Sequence, residues 1–165
     1  MPLKTILAAI SKPDAEHAAF RLVFDKETLA IPPRIYQDET ELRGRYADHS
    51  QILDSLLTRH HDGFVRARAL ARILSSTPET WTFPFVIELM GEYVVEILQQ
   101  IEDGFEHLNL EACTHFLTDN PAFLALTRQR VMSYWDCYYR AISRQDYVGF
   151  RLIRRLEALA PPPSR

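Results

Sequence analysis

The sequence predicts an all-α fold, and three observations carry that prediction. Apolar residues recur at helical spacing, in Ile52, Leu53, Leu56 and Leu57 and again in Val65, Ala69 and Ile73. Glycine numbers only 5 in 165 residues, which disfavours hairpin-rich folds and Gly-rich phosphate loops. No alternation of polar and apolar residues survives a count against a strand pattern. The expected organisation is one domain over residues 1–160, followed by a loose tail at 161–165.

The elements follow in order. Residues 3–10 and 14–24 read as helices, the second announced by Pro13-Asp14. Pro32-Pro33 forces an extended break through residues 30–37, because proline excludes its predecessor from helical geometry. A helical turn or more follows at 42–46, which closes an N-terminal cap spanning 1–47. Asp48 is placed to cap a helix ending near Arg59, and Asp62-Gly63 turns the chain into a helix over 65–74. Thr77-Pro78-Glu79 punctuates before the longest apolar helix, 83–101, where Pro84 suits the first turn because its missing N–H costs nothing there. Asp103-Gly104 ends that helix, and a short one follows at 110–117. Asp119-Asn120-Pro121 opens a helix over 122–142, and the region of Asp146 starts the last, to Leu159.

Hydrophobic residues at 47% and charged residues at 25% are ordinary for a globular chain, long enough to bury a core without staples. Two cysteines provide no disulfide framework and point to a reducing compartment. The apolar run at residues 5–10 is too short for a signal core or a membrane span, so a cytoplasmic protein with no membrane association is expected. Net charge is −3, but it is segregated. Residues 73–127 hold no Lys or Arg and 9 acids, whereas 128–165 hold 8 Arg and 3 acids. Either the two blocks pair internally or each recruits a partner.

Residues 62–74, DGFVRARALARIL, resemble the second helix of a HEAT-type repeat. Asp62 precedes a Val65-Arg66 pair by three residues, and Ala69 and Ile73 continue at helical spacing. The resemblance implies a stack of helix pairs over 48–160, in which Asp62 caps its helix and Arg66 bonds the turn of a neighbouring repeat. Residues 82–89, TFPFVIEL, look like the first helix of the next repeat with its early proline, and the two first-helix starts, near Asp48 and Thr82, lie roughly a HEAT period apart. The resemblance is confined mainly to residues 48–101. An irregular multi-helix bundle is the alternative architecture.

Several side-chain groups bear on function. Glu88, Glu92 and Glu96 fall at i, i+4 and i+8, one acidic line on an unbroken helix, suited to docking a basic partner or to pairing with arginines. Arg68 and Arg72 form a cationic pair that a stack would place against that line. Residues 129–140, QRVMSYWDCYYR, are dense in aromatics, with Tyr134/Tyr138 and Trp135/Tyr139 at i, i+4; such a helix is either core or an interaction hot spot. The arginines from Arg128 to Arg155 are the best electrostatic argument for nucleic acid, although the adjoining acidic block would repel phosphate. His60-His61 straddle a turn, and Cys113 and His115 face apart on a helix, so neither reads as a metal site. No nucleophile elbow, paired-cysteine motif, P-loop or zinc-protease motif is present.

These observations point to a non-catalytic module that binds another protein, as adaptor, inhibitor or regulator, with no cofactor and no metal. The expected contact residues are Glu88, Glu92, Glu96, Arg128, Arg130, Trp135, Tyr139 and Arg140, with Asp62, Val65, Arg66 and Ala69 as repeat framework. The alternatives are a nucleic-acid binder using the C-terminal arginines, and an enzyme using Glu88, Glu92 or Asp136 as a base in an inter-helix pocket.

Overall fold

The computed structural model describes residues 20–24 and 26–160. The expected helix at 3–10, the start of that at 14–24 and the tail at 161–165 lie outside the described residues. Within them the chain forms eight α-helices and one two-stranded sheet, so the fold is all-α.

The sheet corrects the expectation of a helix through Phe24. Strands β1 (Phe20–Phe24) and β2 (Glu27–Ile31) pair antiparallel in register from Phe20↔Ile31 to Phe24↔Glu27. Leu22, Leu29 and Ile31 enter the core while Arg21, Val23 and Thr28 stay exposed, the period of two that a strand requires. Lys26 adopts the left-handed conformation in the turn, with φ 63°. A lone hairpin is marginal in water, and Asn120 fastens this one. Its Oδ1 accepts from Val23 N at 2.8 Å, and its Nδ2 donates to Val23 O at 2.8 Å and Phe116 O at 2.9 Å.

Helix α1 (Glu39–Arg45) is capped by Asp38, which accepts from Glu41 N. Helix α2 (Ser50–Leu57) starts at His49 without a side-chain cap, so Asp48 does not take the expected role. Helix α3 (Gly63–Ser75) is capped by Asp62, which accepts from Phe64 N at 2.8 Å, and it buries Val65, Ala69, Leu70 and Ile73 along one face. The long helix expected over 83–101 is instead two, α4 (Phe83–Met90) and α5 (Val95–Gly104). Gly91 closes α4, and a Cβ there would stand 3.1 Å from Arg130 Cδ. Helix α6 (Leu110–Asp119) is capped by Asn109, α7 (Pro121–Tyr138) carries Pro121 at its start and stops short of residue 142, and α8 (Val148–Leu159) completes the chain.

Three pairs of sequence-adjacent helices, α2/α3, α4/α5 and α7/α8, pack side by side, with α6 between the second pair and the third in sequence. Helix α4 touches α2 and α7, and α5 touches α3 and α8, which makes two layers; α6 packs on α7, α8 and β1. Every residue of α4 is buried, as expected of a helix apolar all round. Gly149 lets α8 close on α7, since a Cβ there would come within 2.9 Å of Val131 Cγ1. No helix among the described residues is long and apolar enough to cross a membrane.

Candidate functional site

The break at Gly91 rearranges the acidic line. Glu88 ends α4 and Glu92 lies in the α4–α5 turn; both are buried, and only Glu96, on α5, is exposed. Glu92 Oε1 lies 2.8 Å from Arg34 Nη1 and 3.1 Å from Arg59 Nη1, and its Oε2 lies 2.9 Å from Arg66 Nε. Glu88 Oε1 lies 2.5 Å from Arg130 Nη1 and 3.7 Å from Arg59 Nη2. Burial pushes the Glu88 carboxyl up, against the pull of Arg59 and Arg130, and burial likewise pushes Arg59 down against Glu88 and Glu92. A docking strip through Glu88 and Glu92 is therefore corrected. They are the centre of a buried ionic junction, out of reach of a partner.

That junction ties three parts of the fold together. Arg59 also donates to the carbonyls of Pro32 and Pro33, and Arg66 donates to those of His60 and His61 at 2.9 Å each. The turn after α2, the start of α3 and the turn after α4 thus share one set of bonds. Arg68 and Arg72 do not face this cluster. Arg68 pairs with Glu39 at 2.7 Å, and Arg72 reaches Glu39 and Asp54 at 3.2 and 2.8 Å.

The opposed charge blocks neutralise each other at three points. Arg130 meets Glu88, Arg151 meets Glu102 at 2.5 Å, and Arg155 pairs with Glu106. Arg128 lies exposed 3.4 Å from Glu157, Arg140, in the turn after α7, pairs with Asp136 of that helix, and Arg144 covers the Trp135 ring.

The aromatic helix divides between core and surface. Trp135 is half-buried, edge-on to Phe150, with Nε1 donating to Ile142 O. Tyr139 stacks on buried Tyr147 at 5.2 Å, and its hydroxyl donates to Tyr93 O at 2.6 Å. Burial raises the Tyr139 hydroxyl, and the charge of Glu96 raises it further. On the other side Tyr93, Tyr134 and Tyr138 form a mutually packed trio, with ring centres 5.8, 5.9 and 6.2 Å apart. Tyr93 is 49% exposed and Tyr138 66%. Reasoning from sequence missed Tyr93, since it was placed mid-helix; its position straight after Gly91-Glu92 was the available signal. No protein-family model, curated protein or solved structure matches the chain.

A second aromatic feature flanks the turn after α2. Ile35 N donates to Arg59 O and His61 N to Ile35 O, each at 2.9 Å, which lays residues 35–37 along that turn. Tyr36, 66% exposed, consequently stacks on His61 at 5.3 Å. His60 accepts from Asp62 N through Nδ1 at 3.0 Å, so Nε2 carries the proton that Gln37 O receives at 3.1 Å. The neutral ring is required, and burial lowers its pKa accordingly. Its stabilising contribution is complete above the ordinary histidine value of about 6.5 and is lost as pH falls through the folded value. The stability gap between the protein and His60→Gln should therefore narrow below that pH. Paired urea melts across pH check it, and a gap constant from neutral pH into strong acid would contradict the assignment. Among the described residues no group of three or more His, Cys, Asp or Glu could hold a metal.

Proposed function

We propose that this chain is a non-catalytic protein-binding module, an adaptor, inhibitor or regulator built as a HEAT-like stack of helix pairs. Its contact surface is the edge carrying Tyr93, Tyr134 and Tyr138, with Glu96, Tyr139 and Arg140 at the rim. The observation that supports this most is the tyrosine trio. Packed rings of which two, Tyr93 and Tyr138, stay exposed offer large, rigid contact area at low entropic cost, the usual chemistry of interface anchors. The layered helix pairs support the HEAT-like part, as does Arg66, which spans from its own helix start to the turn of the next pair.

The nucleic-acid reading is less well supported, because Arg130, Arg151 and Arg155 are engaged by carboxylates of the same chain. The enzyme reading loses its candidate bases in a similar way. Glu88 and Glu92 are enclosed by guanidinium groups, and Asp136 is paired with Arg140. Photo-crosslinking tests the proposal. A benzophenone amino acid at Tyr138 should trap a discrete protein in cell lysate, and Tyr93→Ala should abolish the adduct. The same probe at exposed Ala71 should trap nothing in common with it. Identical adducts at both positions would defeat the proposal, and a DNA or RNA complex weakening steeply with salt would favour the rival.

A further inference from the structure

Residues 32–37 form a strap laid along the turn between α2 and α3. Its proline end is held by Arg59, which donates to the carbonyls of Pro32 and Pro33, and by Arg34, which reaches Glu92. Its other end is held differently. Ile35 pairs with the turn through both of its backbone groups, and Gln37 O accepts from the His60 ring at 3.1 Å. That ring is 5% exposed and sits between two backbone groups of opposite kind, the Gln37 carbonyl and the Asp62 N–H.

Only an imidazole with one donor and one acceptor nitrogen satisfies both. A second proton would set Nδ1–H against Asp62 N–H across 3.0 Å, and turning the ring over brings no relief, since both nitrogens then donate. Burial is the largest obstacle to charging the ring. His61, whose ring lies 4.4 Å away, also opposes the charge, while the Gln37 carbonyl, Asp62 and Glu39 favour it. Arg66 donates to His60 O, and Asp38 and Arg68 line the same hollow as the ring. We propose that His60 is an acid-operated latch, whose protonation expels the ring and frees residues 35–37 from the α2–α3 turn while the helical layers stay closed. The release is local because the proline end and the Glu92 junction use no atom of the ring. It holds whatever the tyrosine edge binds.

Native-state hydrogen exchange tests the latch through the amides of Ile35 and His61, each bonded across the strap at 2.9 Å. Their opening constant, corrected for intrinsic exchange, should rise by up to about tenfold per pH unit as pH falls below about 6.5, the value of a free ring. It should level off below the lower value of the enclosed ring. Amides of Leu89 in α4 and Leu98 in α5 should show no such rise. His60→Gln supplies a donor and an acceptor but takes up no proton, so its strap should not respond to acid, whereas His61→Gln should keep the response. A nitrogen NMR titration needs no variant: His60 should carry its neutral proton on Nε2 and titrate below about 6.5. Strap protection indifferent to pH, a response that survives His60→Gln or is lost in His61→Gln, or a ring that charges while the strap stays closed would overturn the proposal. So would an equal loss of protection in α4 and α5, which would mean unfolding of the whole chain.

Discussion

Replacing Glu92 with glutamine is expected to destabilise the protein by about 3–5 kcal/mol, the cost of breaking a buried ion pair from one side. Glu92 stands within 3.1 Å of three guanidinium groups, and two of their owners, Arg59 and Arg66, are 2% and 3% exposed. Glutamine preserves shape and some hydrogen bonding but removes the charge that all three guanidinium groups share, and Glu88 stands farther off, at 3.7 Å from Arg59. A loss of that size is a large share of the roughly 5–15 kcal/mol by which a domain is stable. Urea unfolding measures it, with Glu96→Gln as the exposed control, expected within about 0.5 kcal/mol of the parent. A Glu92→Gln protein that matched this control would mean that the junction is not closed. Replacing Arg59, Arg66 and Glu92 together with methionine or leucine should recover much of the loss, since well-packed apolar substitutes avoid desolvating charge.

The same junction explains why part of the site was hidden from sequence reading. Spacing of i, i+4 and i+8 defines a stripe only if the helix continues, and Gly91 ends it between Glu88 and Glu92. Burial of those glutamates depends on Arg34 and Arg130, which arrive from opposite ends of the chain, and no local pattern carries that information. Features governed by local rules were legible. Asp62 caps α3, Pro84 and Pro121 sit in first turns, and the apolar stripe of α3 faces inward. The hairpin escaped notice because each strand has only five residues and the turn lacks the usual Asn or Gly; Lys26 takes the left-handed conformation instead. Of the expected contact residues, Glu96 and Tyr139 lie near the tyrosine trio, while Arg140 pairs with Asp136, Trp135 turns toward Phe150 and Arg128 toward Glu157.

Asn120→Ala is the second substitution with a large expected effect, about 3 kcal/mol for three hydrogen bonds at roughly 1 kcal/mol each. The side-chain amide does for β1 what a third strand would do, since Val23 both donates to it and accepts from it. Its remaining donor bond, to Phe116 O, caps the end of α6 where the helix leaves a carbonyl without an internal partner. Asn120 also precedes Pro121, so one residue joins the end of α6, the start of α7 and the hairpin. Aspartate, though nearly the same shape, cannot replace it, because a carboxylate accepts but cannot donate to Val23 O. Asn120→Asp should therefore destabilise almost as much as alanine, and more at neutral pH than in acid, where a protonated carboxyl regains one donor. Hydrogen exchange locates the effect. Amides of β1 and β2 should lose protection in the alanine variant at conditions where α4 and α5 keep theirs. Uniform loss across the helices would show instead that the hairpin and the helical layers unfold as one unit.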